Sequence, residues 1–400
     1  MGKQANGDQE LDQKERRMYY KPDWQQAKKR IEAFWQNEVI DRCCIAVLAP
    51  REHAAVPAYL EQQYGPLLYG LDRIADDDQE GIERWWTDPE ERYKRYTLWF
   101  ENTYFGGEAV PAIDINWGAM AMAGFYGSPP IFTKKTVWYP PVIEDWDKWE
   151  WRFDRSANKL WKQTLAVTSY LVERSEGRYF VGYPEIGSAG DLLALMRGTD
   201  KLCTDLVDHP DAVKRGIQVL TDTWVELHEQ FFQMTHPAND GGAVLAWMML
   251  WAPGRIAQVA CDFSGVISSK MFREFFCGEI ERQSGWNEFG TYHLDGREAL
   301  RAHLSSLMDI PAIQNIEWTP GVGSPVTYSP EYIPFYKKIQ QAGKRLYLLA
   351  QPNEVEPLLG ELSPKGLFIC THAESIEDAE LLLKHAAQSS RRGIAWGPSR

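Results

Sequence analysis

The chain has 400 residues, enough for two average domains or for one α/β barrel. Its net charge of −13 argues against a broad phosphate-binding surface, so no nucleic-acid partner is expected. Hydrophobic residues make up 44% and charged residues 25%, no apolar run reaches the roughly 18 residues of a membrane span, and the first twenty residues hold no hydrophobic signal region, so a cytoplasmic protein without a membrane partner is expected.

Residues 1 to 20 are polar and charged and read as a mobile tail. Asp23 with Gln26 then resembles a capping box, and Trp24, Ala27, Ile31, Phe34 and Trp35 recur at helical spacing, which predicts an amphipathic first helix. From residue 43 onward, short apolar runs alternate with helical patterns. The runs are 43–49, 110–116, 178–184, 242–248, 290–296, 313–318, 345–350 and 366–370. The segment 50–109, rich in Trp, Tyr and Glu, reads as a helical insertion after the first strand. Between the third and fourth runs, Val213, Ile217, Leu220, Trp224, Leu227 and Phe231 mark one stripe of a long helix begun by Pro210. After the seventh run "NEVEPLLGELSP" holds only a short helix, and Ser375 with Asp378 predicts a capped last one. This alternation predicts an α/β fold, a (β/α)8 TIM barrel forming one domain over residues 21–400. No GxGxxG follows the first strand, which lowers a dinucleotide-binding alternative.

Sites in such barrels lie where the strands end, so the polar residues closing each run are the candidates. They are Asp114 and Asn116, Tyr183 and Glu185, Trp247, His293 and Asp295, Glu317, Gln351, Cys370 and His372, with Asp262 and Ser264 in a loop after the fourth run. In "TYHLDG", His293 and Asp295 sit two apart and share one strand face, which suits either a metal or a salt-bridged pair. Glu317 suits catalysis or an ion pair with Lys344 or Arg345, and Cys370 suits a ligand or a small core residue. His303 and His372 read as solvated. The six cysteines show no paired spacing and read as reduced thiols. Seventeen tryptophans predict a stiff core, with Trp117, Trp247 and Trp318 as walls of an apolar or quaternary-ammonium pocket. A thiolate, an imidazole and carboxylates converging at a barrel mouth would suit Zn²⁺.

The stretches "GYPEIGSAGDLLALMRGTDKLCTDLVDHPDAVKRGI", "DFSGVISSKMFREFF", "YHLDG" and "LFICTHAES" resemble the uroporphyrinogen decarboxylase superfamily over roughly residues 110 to 385. That superfamily includes zinc-dependent methyltransferases that exchange methyl groups between corrinoid proteins and thiols. In that branch the fifth strand carries His-x-Cys-Gly and a second Cys closes the eighth. His293 matches the histidine and Cys370 the second cysteine, while Asp295 stands where the first cysteine would be. The resemblance implies a (β/α)8 fold and a zinc-assisted methyltransferase. Metal would be held by His293, Asp295 and Cys370, and a corrinoid would be carried by a partner protein.

On that reading Asp262, Tyr183, Asp114 and Glu317 are the candidate catalytic residues, and Asn116, Trp117, Trp247 and Gln351 contact a small-molecule substrate. A homodimer is also expected. Two rivals stand beside it. One is a metal-free decarboxylase of a porphyrinogen or smaller acid, for which Arg51 alone marks the arginine-rich segment of true decarboxylases. The other is a non-catalytic binder of a corrinoid protein or small molecule.

Overall fold

The computed structural model describes residues 18–52, 70–321 and 323–394. Its strands are β1 (Cys44–Pro50), β2 (Thr103–Gly107), β3 (Ala112–Ile115), β4 (Ile131–Phe132), β5 (Val137–Trp138), β6 (Phe180–Pro184) and β7 (Ala243–Leu245). They continue with β8 (Leu250–Ala252), β9 (Gln258–Ala260), β10 (Thr291–Asp295), β11 (Asn315–Thr319), β12 (Arg345–Leu349) and β13 (Leu367–His372). Strands covered on both faces read as unbroken apolar runs, and β1 and β13 are accordingly buried at every residue but their last, Pro50 and His372.

Seven strands share one sheet in the order β2, β1, β13, β12, β11, β10, β9. Every neighbouring pair is parallel except β1 with β2. β3 and β6 form a separate parallel pair, and β7 turns back on β8 as an antiparallel hairpin. Among the described residues the ladder does not close into the ring expected from the sequence; the fold is a mostly parallel sheet surrounded by helices. Three local features interrupt the ladder. The register of β3 against β6 slips between Ile113 and Ile115. Beside β6, the Asn239 amide takes the place of a strand, donating to Val181 O at 2.8 Å and accepting from Val181 N at 2.8 Å. The expected strand 242–248 stops at Leu245, because Ala246–Met248 form a 3-10 turn and Met249 is left-handed with φ 51°. The strand that joins β10 is Gln258–Ala260, which at three residues is too short to stand out in the sequence.

Asn239 is fully buried, so Asn239→Ala would leave an amide N–H and a carbonyl of β6 unsatisfied. A loss of about 2–4 kcal/mol in urea-unfolding stability is expected, with an unchanged far-ultraviolet circular dichroism spectrum. A loss below about 0.5 kcal/mol would show that these two bonds are replaced by others.

The helix Pro210–Thr235 buries Val213, Ile217, Leu220, Trp224, Leu227 and Phe231, the stripe read from their spacing. The first helix spans Trp24–Trp35, but Asp23 does not cap it; its carboxylate pairs with buried Lys21 at 2.9 Å instead. Ser375 does open the helix Ile376–Ile394, accepting from Asp378 N at 3.1 Å. Of the expected tail, residues 1–17 lie outside the described residues, while Met18 and Tyr20 are buried against the core. Within the expected insertion, 53–69 lie outside them, and Gln79–Thr87 and Pro89–Asn102 are helices. All six cysteines are unbridged. Among the described residues no helix is long and apolar enough to cross a membrane.

Candidate functional site

The C-terminal ends of β3 and β6, of β7 and of β10, which belong to three separate sheets, open onto one cavity of about 340 Å³. The alternation of β10 decides what faces it. His293 and Asp295 line the cavity, whereas Tyr292 and Leu294 point the other way and are each 1% exposed.

Parallel register sets His293 beside Glu317 of β11. The imidazole Nδ1–H donates to the Glu317 carboxylate, which is fully buried and also accepts from Thr319 Oγ1 at 2.8 Å. Burial alone would lower the His293 pKa; the Glu317 carboxylate, with Asp262 and Asp295 adding to it, overcomes that and raises it to about 10. With Nδ1 engaged, Nε2 is the nitrogen left to bind an ion, which must displace the proton that this raised pKa keeps there at neutral pH. The indole of Trp247 meets the His293 ring edge-on at 5.7 Å and donates its own Nε1–H to Gln258 Oε1 at 2.7 Å. Glu317 therefore pairs with neither Lys344 nor Arg345, whose cations cap backbone carbonyls of Ile310, Ile313, Phe34 and Trp35.

Asp262 reaches the same place from the turn after β9. Phe263 N donates to Asp191 Oδ1 at 2.8 Å, and Ser264 O accepts from His303 Nε2 at 2.8 Å, so the turn is pinned on two sides. His303 is thus buried and structural, not solvated. Ligand atoms of Asp262, His293 and Asp295 all lie within 4.8 Å of one another. Asp295 Oδ1 is buried without a hydrogen-bond partner. One imidazole and two carboxylates, one of them with an orphaned oxygen, around one point fit a divalent cation, and Glu317 supplies the carboxylate that commonly stands behind a metal-binding histidine.

Further carboxyls crowd the cavity. Burial pushes Asp114 up to about 6, against the opposing pull of Arg92. Burial and then the Asp114 charge push Glu185 up to about 7, and burial and then Asp262 do the same to Asp191. His228 also lines the wall, its ring tilted against Trp224 with centroids 3.8 Å apart, and burial lowers its pKa to about 3, so it is neutral. Tyr183 lies beside it, 7% exposed, with its hydroxyl unpartnered and its pKa raised by burial.

The cavity therefore gathers Asp262, Tyr183, Asp114, Glu185, Trp247, His293 and Asp295 from the residues singled out in the sequence. Others stand elsewhere. Glu317 lies behind His293. Asn116 Oδ1 accepts from Gly118 N at 2.7 Å in a turn, and Trp117 is fully buried with the Arg92 guanidinium over its ring at 5.0 Å. Gln351 is exposed, its N–H donating to Glu354 Oε2 at 2.8 Å where a helix begins. Trp318 packs on Tyr332 with ring centroids 5.2 Å apart. Cys370 is 4% exposed on β13, outside the converging group, and burial pushes its thiol up to about 12, which opposes a thiolate ligand. Asp262 stands in the group in its place. Glu185 was visible only as a strand-closing residue, while Asp191 and His228 lie on helices. An acid in the first turn of Ala189–Arg197 and a histidine four residues after Trp224 were the available signals.

No family model matches the chain, and no curated protein matches it. Among solved structures, a methyltransferase from Methanosarcina mazei is similar, with a TM-score of 0.58 and 12% sequence identity over 90% of this chain and 98% of that one. At that identity the likeness is one of fold.

Proposed function

We propose that this chain is a metal-assisted methyltransferase of the uroporphyrinogen decarboxylase superfamily, built on a (β/α)8 barrel plan. It would move a methyl group between a small substrate and a corrinoid, held by a partner protein, or a thiol. The observation that carries the reading is the convergence of Asp262, His293 and Asp295 with Glu317 locking the imidazole. The fold likeness to a methyltransferase supports it. These three residues would hold the metal, and zinc is preferred because nitrogen and oxygen donors bind it more tightly than Mn²⁺ or Fe²⁺. Bound there, zinc supplies Lewis acidity that lowers the pKa of a coordinated acceptor.

The protein's own part is positioning and proton handling. Glu317, itself held by Thr319, fixes the orientation of the His293 ring, and Asp191 with His303 fixes the turn that presents Asp262. Asp114, with a pKa of about 6, can take or release a proton near neutrality. Tyr183 offers an unpartnered hydroxyl to orient the substrate. Among the described lining residues there is no lysine or arginine to offset a porphyrinogen's carboxylates, which disfavours the decarboxylase reading.

The test is methyl transfer from methylcobalamin to thiol acceptors, followed by the visible spectrum of the corrinoid. Zinc-loaded protein is expected to turn over, and Asp262→Asn to lose at least about 100-fold in rate, as removal of a group acting in the transition state does. Absence of transfer by zinc-loaded wild type with every thiol tried would overturn the reading.

A further inference from the structure

The charges lining the cavity do not balance. Asp114 and Glu185 line it at the ends of β3 and β6, apart from the three residues that converge as metal donors, and Asp191 adds a third carboxyl. No lysine or arginine stands among the described lining residues. The His293 imidazolium, and the Arg92 guanidinium near Asp114, offset only part of the carboxyls' charge, and carboxyls drawn together inside a protein repel one another and carry a desolvation penalty that a further positive ligand would relieve. A second and independent feature lies in the same wall. Tyr183 is 7% exposed and lines the cavity, yet its hydroxyl has no partner. An orphaned buried hydroxyl costs about 1–3 kcal/mol unless a ligand completes it.

We propose that the part of the cavity beside β3 and β6 binds a small organic cation, an ammonium or sulfonium, through the carboxylates of Asp114 and Glu185 with Tyr183 and Trp247 as aromatic walls. A second metal ion fits less well. Among the described residues only Asp262, His293 and Asp295 bring ligand atoms close enough for one ion, whereas Asp114 and Glu185 are not part of any such group. The rest of the wall there is apolar, including Met120, Ile186 and Leu245. Carboxylates and aromatic faces set around apolar surface suit a charge spread over alkyl groups better than a bare ion. The volume of about 340 Å³ admits a molecule of several heavy atoms. That this cation is the substrate rests on the methyltransferase reading; that it binds does not.

Isothermal titration calorimetry at pH 8 on protein stripped of metal by EDTA tests the binding alone. The probes are choline and its uncharged isostere 3,3-dimethylbutan-1-ol, which have the same shape and differ in charge. Choline is expected to bind at least about tenfold more tightly than the alcohol, and Asp114→Asn with Glu185→Gln to weaken choline at least about tenfold without weakening the alcohol. Thermal unfolding of the double variant confirms that it is folded. Equal or tighter binding of the alcohol, no detectable choline binding, or unchanged choline affinity in the double variant would overturn the proposal. Because no zinc is present, choline binding by a chain that never takes up zinc would sink the methyltransferase reading and leave this one standing.

Discussion

Glu317→Gln is expected to weaken zinc binding by about 10- to 100-fold, the usual cost of altering the partner behind a metal-binding histidine. The glutamine carbonyl can still accept the His293 Nδ1–H while its amide N–H donates to the Thr319 hydroxyl oxygen, so packing is retained. The full negative charge that makes the imidazole a stronger donor is gone. Glu317→Ala goes further. It removes a fully buried partner from a strongly paired imidazole, and a loss of about 3–5 kcal/mol in folding stability is expected at neutral pH. Competition with a chromophoric chelator gives the affinity, and urea unfolding gives the stability. A glutamine variant with unchanged affinity would mean that His293 is not a ligand, whatever the stability shows.

Asp114→Asn and Glu185→Gln are expected to act in the opposite sense, stabilising the metal-free protein at alkaline pH. Both carboxyls have folded pKa values raised by burial, to about 6 and about 7. Such a group binds its proton more tightly in the folded state, so its stabilising contribution is complete below the unfolded pKa near 4 and is lost as pH rises through the folded value. At pH 8 each must be carried as a buried charge, at a cost of about 1–3 kcal/mol after allowance for the solvent that reaches the cavity. The amides never ionise. Each variant should gain about that much over wild type at pH 8 and little at pH 4, read from urea unfolding in EDTA. A variant that is no more stable at pH 8 than at pH 4 relative to wild type would show that these carboxyls are already compensated. Removing charges held for ligand binding should thus raise stability while lowering affinity for a cation, the usual exchange at a functional site.

Much of the sheet was legible because parallel strands are continuous apolar runs and the helix Pro210–Thr235 keeps a regular stripe. What was hidden depends on features without a pattern. Gln258–Ala260 is three residues long, and the amide of Asn239 stands in for a strand. At the site, strand alternation placed His293 and Asp295 together, because a period of two fixes which side chains share a face. The third member of the group could not be read the same way. Cys370 matched a family position, but residue spacing says nothing about which strand end reaches the cavity, and Asp262 arrives there on a turn held by Asp191 and His303. Asp191 and His228 come from helices, where one polar residue on a buried face looks like ordinary packing.

The most direct measurement is the metal content of purified wild type beside His293→Ala and Cys370→Ala, by elemental analysis after zinc is supplied under reducing conditions. Near-stoichiometric zinc is expected in wild type and in Cys370→Ala, with its loss in His293→Ala, since Asp262 completes the site and the buried thiol does not. Zinc lost equally from both variants would put Cys370 back among the ligands. No zinc in wild type would contradict a metal centre altogether and leave His293, Glu317 and Asp295 as a proton-handling cluster.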